Sequence, residues 1–237
     1  MELSEVVGRL SALQRFPVEP LSGEVLNAAP VAGAGLVGDR VYNICDAAAG
    51  SPIAFSDAPL LLFYSARYVD ELLTENLDTW TRIRTPGGVE CPIGDPGWLP
   101  ELGAFLGRDL SLEARPPSTG APLRLISRGT LRLAERTYGA ALEPVRVRAN
   151  LVIDITDGRA FDEDLWIGHR IGIGDTLLEI TACADDAFVA AYRPAVAAGD
   201  ADMLEGFLRL REGHLGVTAR AVSGSRIRAG DPVALLD

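Results

Sequence analysis

Cys183 ends a largely apolar stretch, residues 177–182, and is followed by Asp185 and Asp186. A cysteine in such a position is a nucleophile, a metal ligand or a buried thiol, and the local sequence leaves these three alternatives open. The two carboxylates disfavour a thiolate by like-charge repulsion unless an arginine offsets them. If they are buried together, one of them is held protonated near neutral pH and suits general acid–base catalysis.

Arginines stand at two places that suit an anion. Arg40 ends the glycine bend GLVGDR (residues 35–40), where it either binds a phosphate or carboxylate or forms an ion pair that holds a turn. Arg148 and Asn150 precede the apolar run LVIDI, and their spacing predicts that both side chains lie on one face of a strand. This pair suits a polar or anionic ligand. The alternative is an arginine at a sheet edge and an asparagine that caps a turn.

Acidic residues cluster at residues 162–164, the DED of GRAFDEDLW. Carboxylates such as Asp164 serve as bases or metal ligands, or else they form a solvated turn. The two histidines, His169 and His214, are isolated in the sequence, and the three cysteines have no metal-ligand spacing. The sequence therefore predicts no metal site and gives Asp164 as a candidate catalytic residue.

The composition excludes several classes of function. The net charge of −11 opposes binding to nucleic acid or to an anionic membrane surface. All 22 basic residues are arginine, which excludes a Schiff base with pyridoxal phosphate and a lysine-containing phosphate loop. No apolar run reaches the roughly 18 residues of a membrane span, and no secretory signal is visible. We expect a cytoplasmic protein with a small-molecule substrate, and the sequence leaves its oligomeric state open.

The elements that must position these residues are mostly strands. Short apolar runs between glycine and proline turns predict many strands, among them residues 121–127, 146–155 and 167–183. Helical spacing predicts helices at residues 66–77, 99–109, 128–139 and 201–213. The segment of residues 114–122, rich in proline, is the best linker. The sequence thus predicts a mainly β protein with helices (α+β), divided into domains of residues 1–115 and 116–237.

Eight segments resemble, in order and spacing, the MOSC family, which is named for the C-terminal domain of molybdenum cofactor sulfurases. The N-terminal part is similar to the β-barrel domain that precedes it in amidoxime reductases. The matching segments are FPVEPLSGE, GLVGDRVYNICDAAAG, ECPIGDPGWLPELGAFLGRDLSL, LISRGTL, VRVRANLVID, FDEDLWIGHRIGIGDTLLEITAC, HLGVTARAV and RIRAGDPVALL.

The resemblance implies a MOSC β-barrel domain that follows a smaller, barrel-like N-terminal domain. In reductase-type members it also implies a pterin molybdenum cofactor, bound between the domains, that reduces N-hydroxylated compounds. Arg40, Ser127, Arg148 and Asn150 match family positions that contact the cofactor or line its cleft, and Asp164 lies in the matching EDxW element.

Several departures from the family pattern fall on the cofactor site. The lysine and serine that hold the cofactor phosphate are here Glu19 and Pro20, and a carboxylate repels a phosphate. A threonine and an arginine are replaced within residues 54–56, which read Ala-Phe-Ser. The position of the metal-ligating cysteine falls on Asp186 or Ala187, neither of which supplies a thiolate.

These departures predict a divergent MOSC enzyme that acts on a small polar or carboxylate-bearing metabolite without a normal molybdenum site. In this hypothesis Arg40, Arg148 and Asn150 bind the metabolite, and Cys183 and the two aspartates after it react or transfer protons. One alternative is a molybdenum-dependent oxidoreductase or a sulfur carrier that uses Cys183. Another is a binding module without catalysis.

Overall fold

The computed structural model describes residues 5–33, 35–53, 58–72, 74–115, 122–138, 147–185 and 214–236. In chain order the strands are β1 (Glu5–Arg15), β2 (Val18–Glu19), β3 (Glu24–Leu26), β4 (Ala28–Ala32), β5 (Gly35–Leu36), β6 (Tyr42–Asp46), β7 (Ser51–Pro52), β8 (Ser65–Tyr68), β9 (Thr81–Arg84), β10 (Glu90–Pro92), β11 (Leu110–Ala114), β12 (Leu123–Ser127), β13 (Leu151–Ile155), β14 (Arg170–Ile173), β15 (Thr176–Asp185), β16 (His214–Ser223), β17 (Arg226–Arg228) and β18 (Pro232–Leu236). The α-helices are α1 (Leu77–Trp80), α2 (Trp98–Leu106) and α3 (Arg128–Tyr138), and 3₁₀ helices span Pro59–Phe63 and Asp162–Trp166.

Seven of the described strands close into a β-barrel. Around the ring they follow the order β1, β13, β12, β16, β15, β14 and β18, and β18 pairs with β1 again. Neighbouring strands are antiparallel except β12 and β13, which are parallel. β1 lies before the predicted domain boundary at residues 115 and 116, yet it completes the ring. The boundary itself stays a prediction.

The barrel interior is an apolar core. Strands whose side chains alternate between two faces present one face inward. Fully buried residues from the barrel strands include Leu10, Leu13, Leu125, Ile153, Ile171, Ile180, Val217 and Val233. Trp166 belongs to the same core, so the 3₁₀ helix Asp162–Trp166 is packed against the barrel.

The chain between β3 and β12 forms smaller sheets around a second core. Two described sheets surround this core, one of β2, β6, β7 and β11 and one of β8, β9 and β10. A third sheet, β4 and β5 with β17, instead contributes Ala29, Val31 and Ile227 to the barrel core. The second core contains Val18, Ile44, Tyr64, Ile83 and Leu102. Because β2 follows β1 after two residues, the chain passes from the barrel to the second core within a very short segment. A barrel-like N-terminal domain stays a prediction.

Several predicted elements are confirmed. The strand at residues 121–127 is β12, the strand pair at residues 167–183 is β14 with β15, and the helices at residues 99–109 and 128–139 are α2 and α3. The helix predicted at residues 201–213 lies outside the described residues. None of the helices in the described ranges combines the length and apolar character that a membrane crossing requires.

The helix predicted at residues 66–77 is wrong. Residues 65–68 form β8, in which Ala66 and Tyr68 are buried and Arg67 is exposed. Arg67 on β8 donates to Glu90 Oε1 on β10 at 2.7 Å, so this contact spans the intervening strand β9. The tertiary contacts of a strand therefore override a local spacing that fits a helix.

Candidate anion-binding site

Three segments that are distant in sequence meet where the barrel adjoins the second core. They are residues 16–21, residues 37–40 and residues 147–150. They bring together Glu19, Asp39, Arg40, Arg148 and Asn150, which we call the arginine cluster. The predicted ligand-binding residues Arg40, Arg148 and Asn150 are therefore in contact with one another.

Backbone hydrogen bonds fix the turns that carry the cluster. Parallel pairing of β2 with β6 holds Glu19 beside the turn that contains Arg40. The Arg40 amide donates to the Phe16 carbonyl at 2.7 Å, and the Phe16 amide donates to Asp39 Oδ1 at 2.8 Å. Arg40 and Arg148 have positive φ angles of 51° and 50°. Such angles are uncommon for residues other than glycine, so contacts of the side chains must stabilise both turns.

Every nitrogen of the Arg40 guanidinium lies close to an oxygen, two of them through hydrogen bonds and Nε through an ion pair. Nε lies 3.2 Å from Glu19 Oε2, and Nη2 donates to the Arg148 carbonyl at 3.0 Å. Nη1 donates to Asn150 Oδ1 at 2.9 Å and forms a close ion pair with Asp39. Burial lowers the pKa of Arg40, but the Asp39 and Glu19 carboxylates outweigh burial and raise it. The ion pair at the turn, which the sequence left open as an alternative, is thus present.

Arg148 is buried but only partly satisfied. Nη1 donates to the Pro20 and Leu21 carbonyls at 3.2 and 2.7 Å, and Nε lies 3.1 Å from Glu19 Oε1. The guanidinium carbon lies 4.4 Å from the centre of the Phe16 ring, a cation–π contact. Neither Nε nor Nη2 has a hydrogen-bond acceptor among the described residues, so the contact of Nε with Glu19 is an ion pair alone. Burial is the largest influence on the pKa of Arg148 and lowers it, although Glu19 opposes this shift.

Glu19 joins the two arginines through its two oxygens. Its side chain is 27% exposed, whereas those of Arg40 and Arg148 are 9% and 4% exposed. Burial by itself raises the pKa of Glu19, but Arg148, Arg40 and Arg115 outweigh burial and hold the pKa at about 2. Glu19 is therefore ionised at neutral pH. Sequence reasoning gave it only as a departure from the family pattern and missed its contact with both arginines.

Asn150 connects the cluster to the barrel. Its Oδ1 also accepts from the Arg124 amide at 3.0 Å, and its Nδ2 donates to the Gln14 carbonyl at 3.2 Å. β13 begins at Leu151, so residues 147–150 form a turn and not the strand predicted from residue 146 onward. Arg148 and Asn150 both contact Arg40, through the Arg148 carbonyl and Asn150 Oδ1, but they do so from a turn and not by the alternation of a strand.

Cys183 lies elsewhere on the barrel wall. It is opposite Val217, Val217 is opposite Leu125, and Leu125 is opposite Leu151. Because adjacent strands are about 4.8 Å apart, Cys183 lies roughly 14 Å along the sheet from Leu151, the neighbour of Asn150. Its side chain is half-buried on the face that it shares with Val217. The structure therefore does not bring Cys183 to the arginine cluster.

The predicted aspartates are also distributed over separate places. Asp185 is the last residue of β15, and its backbone lies opposite His214. Asp186 lies outside the described residues. Asp164 lies in the 3₁₀ helix Asp162–Trp166. No group of three or more histidine, cysteine or acidic side chains within the described ranges is arranged to hold a metal ion.

Ser127 caps helix α3. Its Oγ accepts from the Thr130 amide at 3.0 Å, and its own amide donates to Glu163 Oε1 at 3.1 Å. Glu163 is fully buried, and its Oε2 has no partner in the described part of the chain. Sequence reasoning placed Glu163 in the acidic cluster of residues 162–164 but chose Asp164 as the candidate catalytic residue. The paired hydroxyls of Ser127 and Thr130 at a strand-to-helix junction are the signal that identifies the cap.

A groove of about 610 Å³ lies between β1, the turn after β13 and the start of α3. Its walls include Ser127 and the charged residues Arg9, Arg132, Arg159, Asp154 and Asp157. The described lining residues include no member of the arginine cluster. The groove is therefore a separate polar surface.

These features define a class of protein: a closed seven-stranded β-barrel, joined to a second β-rich core through a buried cluster of arginines and carboxylates. The family model of the MOSC domain matches residues 113–234, more than half of the chain. The chain belongs to the MOSC domain family.

Two solved structures are similar to this chain. The YuaD protein from Bacillus subtilis is 11% identical and superposes with a TM-score of 0.52, over 99% of this chain and 98% of that one. At this identity the likeness shows the fold alone. YiiM from Geobacillus stearothermophilus is 14% identical over 48% of this chain and 54% of that one, with a TM-score of 0.37. None of the curated protein sequences matches the chain.

The described cluster does not fit the molybdenum cofactor that the resemblance implies. The phosphate of the cofactor needs cations, but the Glu19 carboxylate already lies against Arg40 and Arg148. The metal needs a thiolate, and the family position of that ligand falls on Asp186 or Ala187, neither of which supplies one.

Proposed function

We propose that this chain is a divergent MOSC-family protein that binds a small, carboxylate-bearing metabolite at the arginine cluster in place of the molybdenum cofactor. The observation that carries the proposal is the Glu19 carboxylate between Arg40 and Arg148. A carboxylate of the chain itself satisfies this geometry, and a ligand group of the same size and charge suits it equally.

The charges of the site favour a monoanion over a phosphate. Arg40, Arg148 and Arg115 contribute three positive charges and Glu19 and Asp39 two negative ones, which leaves one positive charge. A monocarboxylate neutralises this charge, whereas a phosphate monoester, with about two negative charges, makes the site negative. An uncompensated negative charge is costly in a partly buried site.

A second candidate function is binding without catalysis. In an enzyme, Cys183 or Asp164 acts on the bound metabolite; in a binding module neither does. The separation of roughly 14 Å along the sheet between Cys183 and the strand after Asn150 favours the binding module. Turnover of a bound metabolite that is lost in Cys183→Ala would instead support the enzyme.

Metal analysis of protein produced in a host that makes the molybdenum cofactor tests the proposal. We expect molybdenum far below stoichiometry in the wild type and no change in Cys183→Ala. The control is Cys91→Ala, which removes another half-buried thiol. Stoichiometric molybdenum that is lost in Cys183→Ala and retained in Cys91→Ala would overturn the proposal and support a molybdenum-dependent oxidoreductase or a sulfur carrier.

A further inference from the structure

Glu19 satisfies Arg148 incompletely. Nε and Nη2 of an arginine lie on one edge of the guanidinium and together bind a carboxylate through two parallel hydrogen bonds. On Arg148 this edge faces only one Glu19 oxygen, because the other oxygen lies against Arg40 Nε. Nη2 is left buried without an acceptor among the described residues. A buried donor without an acceptor is unfavourable, so this edge fits a carboxylate that is free to turn toward it better than it fits Glu19.

The approach to this edge passes through the position of Glu19. The opposite side of the Arg148 guanidinium is closed, because Nη1 donates to the carbonyls of Pro20 and Leu21. Phe16 covers its face at 4.4 Å. Glu19 is the most exposed member of the cluster, at 27% of its side chain. A ligand therefore reaches Arg148 when Glu19 turns away from Arg148 and stays against Arg40.

We infer that a ligand carboxylate displaces Glu19 from Arg148 and binds the Nε–Nη2 edge, while Glu19 remains beside it as a fixed negative charge that excludes phosphate. The inference rests on the proposed function, since it specifies the ligand group and its contact. With Glu19 present, a monocarboxylate brings the site to neutrality and a phosphate dianion gives it excess negative charge. Without the charge of Glu19, the same arithmetic favours the dianion.

Exchange of Glu19 for glutamine tests whether Glu19 makes the site prefer a carboxylate to a phosphate, because Glu19→Gln removes the charge of the side chain and preserves its shape. Dissociation constants of acetate and of inorganic phosphate are measured calorimetrically at about pH 8, where inorganic phosphate is mostly a dianion, and at constant ionic strength. We expect the wild type to bind acetate more tightly than phosphate. In Glu19→Gln we expect phosphate affinity to rise about tenfold or more and acetate affinity to rise by less. The control Glu90→Gln, which alters the exposed pair with Arg67, leaves both affinities unchanged.

Equal phosphate affinity in the wild type and Glu19→Gln would overturn the inference. If Glu19→Gln does not fold, Glu19→Asp keeps the charge on a shorter side chain, and we expect tighter acetate binding without a gain in phosphate binding; a gain in phosphate binding contradicts the inference. In the wild type, the Nε–H resonance of Arg148, identified with Arg148→Lys, is expected to shift on addition of acetate. Absence of that shift also contradicts displacement.

The metal analysis fails or succeeds independently of these titrations. Stoichiometric molybdenum in the wild type removes the proposed function. If the protein is free of molybdenum and its phosphate affinity is the same in Glu19→Gln as in the wild type, the displacement of Glu19 is ruled out. The proposed function is then still supported.

Discussion

Arg40 and Arg148 carry the same side chain in turns of the same backbone conformation, yet their surroundings give them different roles. Arg40 has hydrogen bonds at both Nη atoms and an ion pair at Nε, and it holds Asp39, Asn150 and Glu19 in place. Arg148 retains a donor without an acceptor among the described residues. At the scale of the residue, Arg40 is thus structural and Arg148 is the one suited to a ligand.

The first prediction concerns Glu19 and pH. Its pKa is about 2 in the folded protein and near 4.5 when unperturbed, so its ion pairs stabilise the fold above pH 4.5 and are lost as the pH falls toward 2. We expect the difference in free energy of unfolding between the wild type and Glu19→Gln to be about 2 kcal/mol smaller at pH 3 than at pH 7. Denaturant unfolding at both pH values measures it. A difference that does not vary with pH would show that folding leaves the pKa of Glu19 unchanged.

The second prediction compares a buried with an exposed ion pair. Arg40→Gln leaves Glu19 and Asp39 without their shared cation, and we expect a loss of about 3–5 kcal/mol in the free energy of unfolding. Arg67→Gln removes one side of an exposed pair with Glu90, and we expect a loss below about 1 kcal/mol. Denaturant titration of both variants provides the comparison. Similar losses would contradict the structural role of Arg40.

At the scale of the element, the start of α3 depends on side chains and not on backbone alone. The Ser127 hydroxyl accepts from the Thr130 amide, and Thr130 Oγ1 accepts from the Phe161 amide at 2.7 Å. One cap thus joins strand β12, helix α3 and the segment before the 3₁₀ helix. Ser127 matches a family position at the cofactor cleft, and its described contacts are those of a cap.

The third prediction is the energy of this cap. Ser127→Ala is expected to lower the free energy of unfolding by about 1 kcal/mol, because the Thr130 amide loses its acceptor. The control Ser223→Ala, at the exposed end of β16, is expected to change it by less than about 0.5 kcal/mol. Thermal and denaturant unfolding of the two variants measure the difference. If Ser127→Ala matches the control, the hydroxyl contributes nothing as a cap.

At the scale of the whole molecule, the barrel is completed by the N-terminal strand. β1 pairs with β13 on one side and β18 on the other, and it supplies the fully buried Leu10 and Leu13. The ring therefore joins the first described residues of the chain to some of the last. The matched MOSC segment, residues 113–234, contains five of the seven barrel strands that the structure describes and the first part of a sixth, β18.

The fourth prediction follows from this closure. The isolated fragment of residues 116–237 leaves the edges of β13 and β18 unpaired and the barrel core open. We expect it to lack a cooperative thermal transition, whereas the full chain unfolds cooperatively. Circular dichroism and amide NMR spectra compare the two. A fragment with a cooperative transition and dispersed amide resonances would establish residues 116–237 as an independent domain.

Local patterns predicted the elements whose stability is largely local. Helix α2 is followed by Gly107, whose φ is 65°, and a glycine in that position is a local signal that ends a helix. The strand of residues 65–68 was missed because its pairing with β9 outweighs a helical spacing. Arg148 and Asn150 were predicted to converge, but the positive φ of Arg148 depends on contacts with Glu19 and Phe16 that no local pattern contains.

The sequence by itself determined the order of the family segments, the mainly β character, and a set of cations made only of arginine, because composition and periodicity belong to contiguous residues. Only the tertiary structure decided which charges neutralise one another. Glu19 reaches both Arg40 and Arg148 because β2 and β6 pair beside the start of β13. Cys183 is separated from them by two strands of the barrel. Electrostatic energy depends on distance and burial, and folding alone sets both.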